Sequence, residues 1–425
     1  MKKINIKIAV ISVLLALVTL FLFGCQETAI LPPKPVERTG QDLMLTKSPD
    51  PTVAELAAAI LTPGTATLLT AASTVGIATQ FEVYTASLTG FPTDGSSYAL
   101  MSTGNASGIA GVATTFYSFA TGGPSSTQPS HRGYPSYDIA TLSLTLSVPA
   151  GAETLSFDWK FGTEENPTYI GPDGIIDWAS AIVTTTAGPT NILLFPDNNP
   201  VDVNNAIPYS NVVGGSSVSP LPPYPSPDET VYNAVTTAMY TSTFDVAPFV
   251  GETISIDFWV GDELDLILDS ALFIDNLIIE GEIDVAVDIK PESCPNPINV
   301  KSKGVFPVAI LGTEDFDVNQ VDPDSITLWT EDGGEVTPLR WALEDVATPY
   351  IYSPEDEEEY MCTTDGPDGY TDLTLKFDIQ EIVDALGEPE NVHDGDVEFV
   401  RLTGNLLNGI TINGKDVIII IKKGK

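Results

Sequence analysis

Residues 155–177 read LSFDWKFGTEENPTYIGPDGIID. Leu155, Phe157, Trp159 and Phe161 alternate with Ser156, Asp158 and Lys160, the period-two pattern of a half-buried strand. The strand then runs into Thr163-Glu164-Glu165-Asn166, a proline, and the turn Gly171-Pro172-Asp173-Gly174, followed by Asp177. A core strand therefore carries a set of carboxylates to one edge of a sheet.

The same texture spreads outward on both sides. Strands are expected at Phe81–Tyr84, Tyr98–Met101, Leu142–Val148, Ala179–Thr184, Asn191–Phe195, Thr253–Val260 and Ser270–Ile279. A short helix precedes them: Thr52 with Glu55 three positions later is a capping-box pattern, Leu56, Ile60 and Leu61 form its apolar stripe, and Pro63-Gly64 stops it. Pro220–Pro227 holds five prolines and reads as a surface loop. Beyond Gly281 come strands at Ile283–Ile289, Gly304–Leu311 and Leu373–Phe377. A short helix follows, with Asp378 as N-cap, Glu381 at the box position and Gly387 beyond its end. The apolar run Val417–Ile421 requires burial on both faces. The expected fold is mainly β: a jelly-roll-like β-sandwich over residues 51–281, then a smaller β-rich module with a short helix over 282–425.

Against 18 Lys+Arg stand 58 Asp+Glu, a net charge of −40. That excludes nucleic acid, which needs a basic footprint, and suits divalent cations and a self-repelling surface. The N-terminus carries an address. Lys2, Lys3 and Lys7 precede the uncharged apolar run Ile8–Phe23, a secretory signal in form and short for a membrane span. It closes on Leu22-Phe23-Gly24-Cys25, which resembles a bacterial lipobox with Phe as a departure at the second position. The resemblance implies cleavage after residue 24 and acylation of Cys25, palmitate included, holding the chain on the outer membrane or cell surface of a bacterial envelope. Residues 25–50, with Pro32, Pro33 and Pro35, then act as a tether. With Cys25 lipidated, Cys294 and Cys362 remain, and in an exported chain a disulfide between them is expected, contributing roughly 4 kcal/mol on loop-entropy grounds.

Five motifs in order give a family resemblance over residues 53–279. They are Leu56-Ala57-Ala58-Ala59-Ile60-Leu61-Thr62-Pro63-Gly64, Leu100-Met101-Ser102-Thr103-Gly104, Phe161-Gly162-Thr163-Glu164-Glu165-Asn166-Pro167, Asn191-Ile192-Leu193-Leu194 with Pro200-Val201-Asp202-Val203-Asn204-Asn205, and Gly261-Asp262 with Leu268-Asp269-Ser270-Ala271-Leu272-Phe273. The segment resembles the choice-of-anchor L domain of bacterial surface and secreted proteins, with Thr163 and Asn166 replacing the usual serine and aromatic. The family implies no established reaction. Asp288-Ile289-Lys290-Pro291 with Ser293-Cys294-Pro295-Asn296-Pro297 resembles a C-terminal module common in secreted bacterial proteins, also without an assigned function.

Catalytic constellations are absent from the sequence: His131 and His393 belong to no motif, and there is no serine elbow, paired-histidine zinc motif or phosphate loop. Calcium is the better chemistry, because it takes six to eight hard oxygens from loop acids. Glu164, Glu165, Asp173 and Asp177 supply one set. Asp262, Glu263, Asp265 and Asp269, with Asp275 and Asn276 on the next strand, supply another that converges with the first if the strands end on one edge. The leading expectation is a non-catalytic surface module, Ca2+-stabilised, for adhesion or display, meeting a glycan or another surface protein. Trp178, Tyr224 and Tyr232 are candidate glycan platforms. A secreted carbohydrate-active hydrolase, or its glycan-binding subunit, and a structural envelope or matrix component stay open as alternatives.

Overall fold

The computed structural model describes residues 50–422, apart from 86, 87, 89, 108–132, 166–170, 172–175, 213–233, 237, 264–267, 331–333, 351–361 and 388–392. Cys25 and the whole signal segment, Asp173, Asp265, His131, Tyr224 and Tyr232 lie outside the described residues. The chain is a layered all-β body with short helices, as its alternating pattern requires.

Two sheets face each other in the first half. One runs in the order Leu69–Val75, Ser136–Ser147, Thr253–Glu263, Trp178–Thr185 and Gly188–Asn191. In the other, Ala152–Thr163 lies beside Ser270–Asp284, which pairs in turn with Tyr98–Ser102. Between them Phe157 meets Phe258 edge-to-face at 4.9 Å, and Leu142, Leu144, Val183, Ile256, Leu272 and Ile274 fill the core.

The strand Ala152–Thr163 departs from expectation, because Ser156, Asp158 and Lys160 are buried as well. Lys160 stands opposite Phe273, which stands opposite Leu100. That outer face is roofed by a second apolar cluster in which Leu88 and Phe91 pack on Tyr98, Leu100 and Phe273. Asp158 is kept there by a hydrogen bond from Thr241 Oγ1 at 2.5 Å and one from Asn276 Nδ2 at 3.0 Å.

The opening helix, Val53–Ile60, carries the capping box. Thr52 N donates to Glu55 Oε2 at 2.7 Å and Glu55 N donates to Thr52 Oγ1 at 3.2 Å. Pro63-Gly64 ends that helix and also starts a second short turn, Pro63–Ala66, since proline suits a first helical position. At Asn191–Phe195 the structure corrects the sequence: the strand is Gly188–Asn191, and Leu193 and Phe195 reach the core from irregular chain. Asn191 Oδ1 accepts from the amides of Ala181 and Leu193, taking up the donors a ladder would have used.

Ser270–Asp284 continues past residue 281 and pairs in parallel with Thr411–Ile421, Glu282 opposite Thr411. The boundary expected at 281–282 therefore falls inside a strand, and one twelve-stranded sheet runs from the first half into the second. Facing it is a four-stranded sheet in the order Val287–Ile289, Val305–Ile310, Asp372–Asp378 and Arg340–Glu344. The helix Ile379–Ala385 begins as expected, Asp378 Oδ1 accepting from the amides of Gln380 and Glu381, and ends with Gly387 at φ 91°. Cys294 and Cys362 form a disulfide across 68 residues of chain.

Candidate functional site

Strand ends from both sandwich sheets meet at one edge. Gly261 lies opposite Trp178 in one sheet, and Ser270 lies opposite Thr163 in the other. The residues just beyond these pairs are Asp262, Asp177, Glu164, Glu165 and Asp269, and all five are buried. Register explains why: between Val260 and Asp262 the single residue Gly261 faces two residues of the Ser136–Ser147 strand, Asp138 and Ile139, and in that bulge Asp138 adopts a left-handed backbone at φ 42°. Asp138 and Glu263 are also fully buried at this edge. Sequence reading missed Asp138, whose only signal is an acid interrupting the run Ser136–Leu146.

Backbone and hydroxyl groups hold the acids in place. Glu164 N donates to the Asp269 carbonyl at 3.0 Å, and Asp269 N donates back to Glu164 Oε2 at 3.2 Å. Asp177 N donates to Glu165 Oε2 at 3.2 Å. Ser270 Oγ donates to Thr163 Oγ1 at 2.9 Å, and Thr163 Oγ1 accepts from Glu165 N at 3.1 Å. Thr103 ties in through its hydroxyl, which accepts from Ser270 N at 2.9 Å. The motif pieces around Thr103, Thr163 and Ser270, far apart in sequence, thus build one edge.

Asp262 is the electrostatic centre. Burial pushes its carboxyl well above the usual carboxylate range. The Asp177 charge and a hydrogen bond shared with Asp177 push it further, as do the charges of Asp269 and Glu165. Two carboxyls sharing a hydrogen bond need a proton between them, and Asp262 Oδ1 is buried with no hydrogen-bond partner. The donor set is all hard oxygen, the chemistry Ca2+ takes. Among the described residues, no three Asp, Glu, His or Cys side chains already stand as a metal-holding group. An ion would replace the shared proton between Asp177 and Asp262.

The structure does not bring Asp275 to this edge. It sits six residues up the strand from Asp269, roughly 20 Å away at about 3.3 Å per residue. There its Oδ2 accepts from Thr93 N at 2.6 Å and from Asp94 N at 3.1 Å, anchoring the loop that roofs the outer face. Burial leaves its carboxyl raised despite these donors. Trp178 is likewise no platform: it is buried, its Nε1 donates to Ser136 Oγ at 2.9 Å, and its indole packs on Gly261. His393 is exposed beside Asp396, Nδ1 to Oδ2 3.3 Å, as a lone surface histidine.

An exposed aromatic does exist elsewhere. Arg340–Glu344 is the edge strand of the four-stranded sheet, and Leu339, Trp341 and Leu343 are 57%, 50% and 44% exposed. Trp341 lies across from buried Leu375, so it extends the core face past the point where anything covers it among the described residues. An open cleft of about 510 Å³ adjoins it, lined by Trp341, Arg340, Leu339, Pro338, Pro323 and Asp324. In sequence, Leu339-Arg340-Trp341-Ala342-Leu343 alternates like a core strand, which hides this surface.

No family model matches the chain, and no curated protein matches it. Among solved structures, it is similar to TmCBM61, a structure in complex with β-1,4-galactotriose (13% identity, 50% of this chain and 91% of that chain, TM-score 0.23). It is also similar to the glycoside hydrolase domain of Endo-D from Streptococcus pneumoniae R6 (9% identity, 82% of this chain and 37% of that chain, TM-score 0.21). A third is CBM28, a non-crystalline-cellulose-specific carbohydrate-binding module (12% identity, 42% and 89%, TM-score 0.19). At TM-scores this low the likenesses carry no argument, and the functional reading rests on the geometry above.

Proposed function

We propose that this chain is an exported, lipid-anchored surface module that binds a glycan without catalysis through the Trp341 cleft. The observation that carries the reading is a half-exposed tryptophan flanked by Arg340 and Asp324 on an edge strand. An indole face takes the apolar face of a sugar ring, while a guanidinium and a carboxylate fix its hydroxyls. The buried acids of the sandwich edge fit a structural divalent cation better than a hydrolase, because carboxylates this far from solvent cannot flank a glycosidic bond. Membership of residues 53–279 in the choice-of-anchor L family and acylation at Cys25 belong to the same reading. Both are supported by the motif order and the signal segment.

A glycan array probed with the full chain, with and without Ca2+, tests it. Binding that disappears in Trp341→Ala supports the cleft, whereas equal binding by that variant, or none by the wild type, refutes it. Palmitate labelling lost in Cys25→Ser tests the anchor.

A second reading is favoured by the apolar stripe that Leu339 begins just before that same edge strand and Trp341 and Leu343 continue along it. An extended segment of a partner surface protein would add there as a further strand.

A further inference from the structure

A second cluster of acids lies away from the sandwich edge, where the first strand after residue 284 meets the last strand of the chain. Asp288 sits on Val287–Ile289, Asp416 on Thr411–Ile421, and Asn296 on Asn296–Asn299, which pairs in parallel with that last strand. All three side chains are at least 97% buried, with exposures of 3%, 1% and 0%. Asp416 is the hub. Its Oδ2 accepts from Ile289 N at 2.7 Å and from Asn296 Nδ2 at 3.0 Å, and its Oδ1 accepts from Val417 N at 2.7 Å.

Three oxygens here are orphaned. Both carboxylate oxygens of Asp288 are buried without a hydrogen-bond partner, and so is Asn296 Oδ1. The orientation of the Asn296 amide is fixed, because its nitrogen donates to Asp416 Oδ2 and to the Val417 carbonyl, both at 3.0 Å. A buried acceptor without a donor costs about 1–3 kcal/mol, and more when charged. Asp372 adds a further negative charge nearby, its own oxygens accepting from the Gly312, Val346 and Ala347 amides.

Two agents answer such a cluster, a proton or a cation. A single proton on Asp288 settles at most two of the orphaned oxygens, by donating from one carboxylate oxygen to Asn296 Oδ1. A cation answers all three. The charge also favours a cation, for two carboxylates with a third beside them make a net negative pocket of hard oxygens. From this geometry we propose that Asp288, Asp416 and Asn296 Oδ1 form a divalent-cation site of the Ca2+ type, distinct from the sandwich edge. Backbone carbonyls and water complete its shell. The site ties the Asp288 strand to the last strand of the chain. It stands independently of the glycan reading.

The test is calorimetric titration of Ca2+ into the EDTA-stripped, folded full-length chain, with bound metal counted by elemental mass spectrometry. The expected result is that Asp288→Asn lowers the stoichiometry by one ion per chain, while Asp262→Asn leaves this site filled. Unchanged stoichiometry and affinity in Asp288→Asn overturns the proposal, and so does a wild-type chain that binds no Ca2+. Should Asp288→Asn fail to fold, Asp262→Asn decides: one retained ion, lost again in Asp416→Asn, supports the site, and no retained ion overturns it.

Discussion

A β-carbon added to Gly104 would land on the carboxylate of Asp269. These residues come from different motifs and lie just outside the ends of two paired strands, and they meet because Thr103 and Ser270 exchange hydrogen bonds in both directions. Gly104 is therefore a cradle for an acid rather than a flexible joint. Gly104→Ala is expected to destabilise the chain by roughly 1–3 kcal/mol, the range for overpacking a filled site. Urea unfolding of the variant checks it, and an unchanged midpoint would show that Asp269 can move aside freely.

Removal of divalent cations should lower thermal stability. An ion held at 100 times its Kd adds about 2.7 kcal/mol, so EDTA is expected to lower Tm by roughly 2–5 °C for a chain of this size. In Asp262→Asn the part of that shift due to the sandwich edge should vanish. Differential scanning fluorimetry with and without EDTA reads both.

Trp341→Ala should cost glycan affinity and little else. A tryptophan at the centre of a binding surface carries about 2 kcal/mol or more, roughly thirtyfold in Kd. Because half of this side chain is already in solvent, Tm should stay within a degree or so of the wild type.

Reduction of the Cys294–Cys362 bridge releases a loop spanning 68 residues. The loop-entropy estimate puts its contribution at roughly 4 kcal/mol. Cys294→Ser with Cys362→Ser should therefore unfold at clearly lower urea, and dithiothreitol should bring the wild type to the same midpoint.

The opening helix gives a pH signature. Hydrogen bonds from Thr52 lower the Glu55 pKa below its ordinary 4.5. A depressed carboxylate contributes stability above its unfolded pKa and loses it as pH falls through the folded value. Thr52→Ala should thus lower Tm at pH 7, and the gap should narrow as pH falls below the ordinary 4.5 and Glu55 takes up its proton. A constant gap across pH would mean that the hydroxyl acts alone.

Much of this was legible in the sequence where one strand dictates its own surroundings. Alternation marked Leu155–Phe161 as a strand, which the structure extends to Ala152–Thr163, and its acidic exit, set beside Asp262 and Asp269, pointed to a shared edge where Thr163 pairs with Ser270. Asp275 was misleading because it lies six residues from Asp269 along an unbroken stretch of strand, opposite Asp158 rather than at the edge. The trio Asp288, Asn296 and Asp416 was illegible for another reason: its members meet through pairings between distant segments and share no local pattern. Trp341 drew no expectation, because its alternation is that of any strand and only its place at a sheet edge leaves it exposed.

The parallel pairing of Ser270–Asp284 with the last strand also sets an order of events. Glu282 accepts a hydrogen bond from Asn413 Nδ2 across 131 residues of chain, and Asp416 closes on Ile289 across 127. Until Thr411–Ile421 is in place, the edge of Ser270–Asp284 that it pairs with stays open. Contacts of such long range form slowly, and an open edge left waiting invites pairing with other chains. The sheet is therefore complete only once segments more than a hundred residues apart in the chain have met.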